Sequence, residues 1–127
     1  MLRSMFCHLC VPIAIAGALL STPAFADDFD DAEKAYARKN FAKAMALYRK
    51  AATHGDVIAQ YNLGAMIESG RGVEQDHVEA LKWLNIAEVS GNKQAMDSRR
   101  LVESLMTPEQ IAEAQKRASE WMKENPQ

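Results

Sequence analysis

Ser90-Gly91-Asn92-Lys93 spells S-x-x-K, the spacing that sets a lysine amine one helical turn from a serine hydroxyl and so pairs a nucleophile with a base. That chemistry needs the serine at the start of a helix. Here a helix-stopping glycine sits inside the motif, and the four residues read as the end of one helix and the start of the next. Gly70-Arg71-Gly72 poses a second question, whether two glycines around an arginine form a phosphate cradle. A cradle needs Gly-Lys-Ser/Thr opening a helix, or G-x-G-x-x-G after a strand. Val73-Glu74-Gln75-Asp76 follows instead, with two acids and no lysine, so the loop reads as punctuation. His54 and His77 each stand beside a predicted helix end, with no cysteine or second histidine at ligand spacing, which argues against zinc. The acids of Asp27-Asp28-Phe29-Asp30-Asp31 lack the spaced ligands and central glycine of a calcium loop and suit a helix N-terminus. Trp83 and Trp121 fall on apolar stripes and read as core rather than as a stacking platform. No catalytic residue, metal site or cofactor is expected, and the chain reads as a non-enzyme.

The elements that must carry these residues are helices throughout. In residues 41–52, Phe41, Ala44, Met45, Tyr48, Ala51 and Ala52 share one face at helical spacing, while Lys43, Arg49 and Lys50 fall on the other. Gly55-Asp56 and Gly91-Asn92 each combine a helix stop with the cap of the next helix. Asp76 with Glu79, and Thr107 with Gln110, have capping-box spacing, and Pro108 takes the first helical position, where a missing N–H costs least. Six helices are predicted, over about 28–38, 41–53, 57–69, 76–90, 93–105 and 108–123.

The first residues stand apart. Arg3 and the amino terminus precede the apolar run 11–20, and Ala24-Phe25-Ala26 supplies a small-x-small end. This is the pattern of a secretory signal peptide over 1–26, cut after Ala26. Ser21, Thr22 and Pro23 interrupt the run before it reaches the roughly 20 apolar residues of a membrane span. Both cysteines, Cys7 and Cys10, precede the apolar core, so the mature chain 27–127 contains none and must rely on packing. Loss of Arg3 takes the formal charge from −2 to −3, which argues against nucleic acid and against an anionic membrane surface. About a hundred residues is one domain. The expected location is the periplasm or the exterior.

Sliding the chain by 36 positions reveals a repeat. Ala44, Ala51, Gly55 and Ala59 fall on Ala80, Ala87, Gly91 and Ala95, with Met45, Leu47 and Tyr48 over Leu81, Trp83 and Leu84. Such a period holds two helices and two turns, and small residues let neighbours approach. With Leu63-Gly64, Gly70-Arg71-Gly72-Val73 and Asp76 added, the pattern resembles the Sel1-like repeat family, relatives of the tetratricopeptide repeats. The stretch 107–121 looks like the closing helix of bacterial members.

The resemblance implies an all-α, right-handed α-solenoid of antiparallel helix pairs, about three hairpins and six helices. It places core repeats over about 41–106 and a capping helix over about 107–123. In such repeats Gly70 ends a helix, Gly72 permits a tight bend and Val73 tucks under the loop. Gly64 is expected to let the helix of Trp83 and Leu84 approach. At the 36-residue shift Leu63-Gly64 becomes Arg99-Arg100, so a further repeat is not expected to dock there in the same way. The implied function is an exported scaffold or adaptor that binds another protein, in periplasmic or envelope-associated regulation or assembly, without nucleic acid or membrane insertion, and as a monomer. Gln60, Asn62 and Gln94 are the expected kind of contact residue. The alternative is a small hydrolase or binder of cell-wall or β-lactam-like ligands, as reported for disulfide-bonded relatives. Those carry a cysteine pair in each repeat, which this mature chain lacks.

Overall fold

The computed structural model describes residues 24–127. The expected leader therefore lies outside the described residues, apart from Ala24–Ala26, whose backbone begins the first helix. Six helices follow: α1 (Ala24–Ala37), α2 (Phe41–Thr53), α3 (Val57–Ser69), α4 (His77–Val89), α5 (Lys93–Glu103) and α6 (Pro108–Glu124). No described residue is in a strand.

Each helix start after the first is fixed locally by a side chain that accepts from the backbone three residues on. Asn40 caps α2, Asp56 α3, Asp76 α4 and Asn92 α5, with oxygen-to-nitrogen distances of 3.3, 2.8, 3.0 and 3.0 Å. Only α6 has the reciprocal box: Thr107 Oγ1 accepts from Gln110 N, and Gln110 Oε1 accepts from Thr107 N. The box expected at Asp76 is half made, because the Glu79 carboxylate accepts instead from Trp83 Nε1 at 3.0 Å and pairs with Lys82. Gly55, Gly70 and Gly91 have the positive φ expected at helix ends, and Lys39 occupies the corresponding place after α1 with φ 60°.

Helix pairs α1/α2 and α3/α4 pack side by side, and α2 and α4 hand the chain on to α3 and α5. The alanines that recur at the 36-residue period (Ala44, Ala51, Ala59, Ala80, Ala87 and Ala95) are fully buried at these contacts. Gly64 shows why: a Cβ there would lie 3.1 Å from the Leu84 side chain and 3.2 Å from the Ala80 carbonyl oxygen. Larger side chains fill the space that remains. Tyr48, Leu63, Ile67, Leu81, Leu84 and Ile86 are completely buried, each aliphatic one contributing roughly 1.5–3 kcal/mol of transfer free energy. Trp83 joins them in the core, and Trp121 packs against it half-buried.

The third pair differs from the first two. Helix α6 packs along α4 rather than closely along α5, with Val102 of α5 joining Ala114 and Ile111 of α6 in one apolar cluster around Leu81 and Leu84. Arg117 faces Glu79 at 3.9 Å, and one turn further along both helices the rings of Trp121 and Trp83 meet, so α6 runs in the same direction as α4. The reason lies in α5, where Arg100 occupies the place that Gly64 holds in α3. Arg99 beside it is bound to Glu88 and Glu103 at 2.6 and 2.7 Å, and these carboxylates hold its guanidinium above the ordinary range. A helix cannot settle against two long charged side chains as α4 settles against Gly64.

Candidate functional site

The loop after α3 determines what the helices present. Gly70 N donates to Ile67 O and Arg71 N to Met66 O, which closes α3 on the left-handed Gly70. Gly72 then lies so close to the start of α2 that an added Cβ would be 2.5 Å from the Phe41 carbonyl oxygen, and its φ is 78°. The bend throws Arg71 back over the first helix pair. Its guanidinium carbon lies 5.8 Å from the ring centroids of both Tyr36 and Phe41, and it donates to the Tyr36 hydroxyl. Val73, expected to tuck under the loop, is instead 40 % exposed; the loop is tied by Gly72 against Phe41 and by Gln75 Nε2, which donates to Glu68 O at 2.6 Å.

Beside this arginine, α1 and α3 form the walls of a cleft of about 380 Å³, lined by Glu33 and Tyr36 on one side and Asn62, Ala65 and Ser69 on the other. Tyr48 from α2 and Met66 form part of its lining, and Arg71 borders it. Burial, and then the bond it donates to Glu33, push the Tyr48 phenol above its ordinary value of 10.0. Asn62 Nδ2 donates to the same oxygen of Glu33 at 3.2 Å. The Ser69 hydroxyl donates to Ala65 O at 2.9 Å, with Met66 O at 3.2 Å, and among the described residues no further bond engages the other Glu33 oxygen or the remaining guanidinium hydrogens of Arg71. Such a cleft offers donors and acceptors on a fixed frame, with an aromatic floor. It holds no base beside an exposed nucleophile.

Sequence reasoning named only one of these residues, Asn62, as a contact. Gln60, named with it, is fully buried: its Nε2 donates to Ala52 O at 3.2 Å and reaches Gln127 Oε1 at 3.3 Å. Gln94 is exposed on α5, away from the cleft. The repeat residues Leu63, Ala80 and Trp83 are buried in the core, Gly64 lies against Leu84 and the Ala80 carbonyl, and Asp76 caps α4. Ser90 ends α4, and no hydrogen bond among the described residues joins it to Lys93. His77 is bound to Glu68 at 2.8 Å, and no group of three metal-ligating side chains occurs among the described residues. A wider cleft of about 560 Å³ lies by the loop 73–76. Three of its polar side chains are already engaged, Asp76 in its cap, His77 with Glu68, and Glu79 with Trp83 and Lys82, while Arg49 and Glu74 also line it.

Residues 32–56 and 57–88 each match the Sel1 repeat. The chain contains two Sel1 repeats. The first is α1/α2 and the second α3/α4, so the cleft lies between the first helices of consecutive Sel1 repeats. The solved structure of a protective antigen present in uropathogenic Escherichia coli strains, displaying an SLR fold, superposes with a TM-score of 0.74 at 25 % identity. The match covers 80 % of this chain and 23 % of that one, so the chain spans under a quarter of that antigen's length. No curated protein matches the chain in sequence. Sel1 repeats generally act as protein-interaction scaffolds, and the all-helical solenoid seen here is of that kind.

Proposed function

We propose that this Sel1-repeat chain is exported and serves as a scaffold or adaptor in the periplasm or envelope, holding a segment of a partner protein in the cleft between α1 and α3. One observation carries the reading: the cleft wall is a hydrogen-bonded set of polar side chains, Glu33, Tyr48 and Asn62, with Arg71 on Tyr36 at its border. Fixed donors and acceptors between parallel walls suit an extended peptide or a helix edge, whose backbone and side chains supply the complementary groups. Export is supported by the leader pattern of residues 1–26. A crosslinked pull-down from intact cells tests the binding reading and should recover one envelope protein in proportion to the bait. Intact mass of envelope-derived protein should begin at Asp27; retention of Met1 contradicts export. The alternative, a hydrolase or binder of cell-wall or β-lactam-like ligands, is tested with a chromogenic β-lactam, which should give no turnover, with or without Ser90→Ala.

A further inference from the structure

Charge along the chain is segregated. Residues 34–55 contain six bases (Lys34, Arg38, Lys39, Lys43, Arg49 and Lys50) and no acid, within a protein of net charge −2. The described fold pairs two of them, Lys34 with Asp31 at 3.6 Å and Lys50 with Asp28 at 2.9 Å. The other four, Arg38, Lys39, Lys43 and Arg49, are exposed and have no carboxylate within ion-pair distance among the described residues; Arg49 lines the wider cleft by the loop 73–76. Arg38, Lys39 and Lys43 stand at the turn from α1 to α2. Arg38 and Lys43 line one small depression together with the paired Lys34 and Asp31, while Lys39 lines another with Tyr36, Phe41 and Arg71. The loop glycine Gly72, pressed against Phe41, brings the fourth cation, Arg71, to the same edge.

Like charges gathered on one edge repel one another, and two unpaired lysines and two arginines around an aromatic pair lower their mutual energy when an anion arrives. Arg71 and Tyr36 border both this edge and the α1–α3 cleft, so the two are one continuous surface. We infer that the partner segment is acidic: a peptide stretch of a protein lies in the cleft and sets consecutive Asp or Glu side chains on Arg38, Lys39, Lys43 and Arg71. The inference rests on the scaffold reading above and deepens it. A protein segment is favoured over an anionic membrane because the edge leads into a peptide-sized cleft whose polar side chains can bond a peptide backbone.

Fluorescence anisotropy on the mature chain tests it. The probe is a labelled peptide of about twelve residues, half Asp/Glu and half apolar, against its twin with Lys/Arg in place of the acids. The acidic peptide should bind at least tenfold tighter, and more weakly as salt rises. Arg38→Glu/Lys43→Glu should weaken binding at least tenfold, and Arg71→Gln should do so without adding a negative charge. Lys116→Glu/Lys123→Glu on α6 makes the same charge change on exposed residues remote from the edge and should leave binding within twofold. Circular dichroism establishes that each variant is folded. Equal binding of the two peptides overturns the inference, as does equal loss from both double variants, or binding only to phosphatidylglycerol vesicles. A pull-down partner that is still captured by Arg38→Glu/Lys43→Glu overturns this inference while the scaffold reading stands. Absence of any partner overturns both.

Discussion

The indole rings of Trp83 and Trp121 meet edge to face, with centroids 5.2 Å apart and planes inclined at 63°. The contact joins α4 of the second repeat to the last helix and holds α6 against the Sel1 core where a third hairpin would otherwise form. Edge-to-face pairs place the positive rim of one ring against the negative face of the other, which adds about 0.5–1.5 kcal/mol to the area they bury.

Trp121→Ala should therefore loosen α6 from α4 and lower stability by about 2 kcal/mol, below the ~3–5 kcal/mol of a fully buried tryptophan because Trp121 is only half-buried. Urea unfolding measures the loss, and the emission of the remaining Trp83 should shift to the red as water reaches it. A loss under about 0.5 kcal/mol with unshifted emission would mean that α6 is held elsewhere.

Gly64→Leu should lower stability by about 1–3 kcal/mol, since even a Cβ would crowd Leu84 and the Ala80 carbonyl. Thermal unfolding reads this directly. A stabilised variant is inconsistent with the close approach of α3 and α4.

How much of this was legible in the sequence follows from the range of each interaction. Caps are local, so Asn92, Asp56 and Thr107 marked their helix starts within a residue or two of where the structure has them. The repeat alanines were legible because helical period and the 36-residue shift coincide on them. Docking of α6 on α4 was not, because it depends on Trp121 meeting a ring 38 positions earlier in the chain. Gln60 looked like a surface residue because its type is polar. Its burial depends on the Ala52 carbonyl at the end of α2, a partner that periodicity cannot name. The cleft escaped notice for the same reason: Glu33, Tyr48 and Asn62 come from three helices, and only the fold gathers them.

Lys39 was also hidden, since a lysine gives no sign of positive φ. At φ 60° its Cβ crowds the following carbonyl, a strain of roughly 1–2 kcal/mol that glycine escapes at some entropic cost. Lys39→Gly should raise stability by about 0.5–1 kcal/mol, measured as the urea midpoint at constant slope. A lower midpoint contradicts the strain.

Tyr48 gives the fold an alkaline limit. Its folded pKa is raised above 10.0, chiefly by burial and then by Glu33, so the folded chain keeps a proton that the unfolded chain gives up. The stabilisation is complete below pH 10 and is lost as pH climbs past it toward the folded value. Wild type should lose stability above pH 10 more steeply than Tyr48→Phe, which has no proton to lose. Parallel curves for the two proteins would show that the phenol is not held as described.

The most direct test of the central claim is photo-crosslinking in living cells from a benzoyl-phenylalanine placed at Ser69, on the cleft wall, against one placed at Ser119, on the exposed side of α6. The account predicts one discrete protein adduct from position 69 and none of comparable yield from position 119. Equal labelling from both positions, or an adduct from 119 alone, would contradict a partner-binding cleft between α1 and α3.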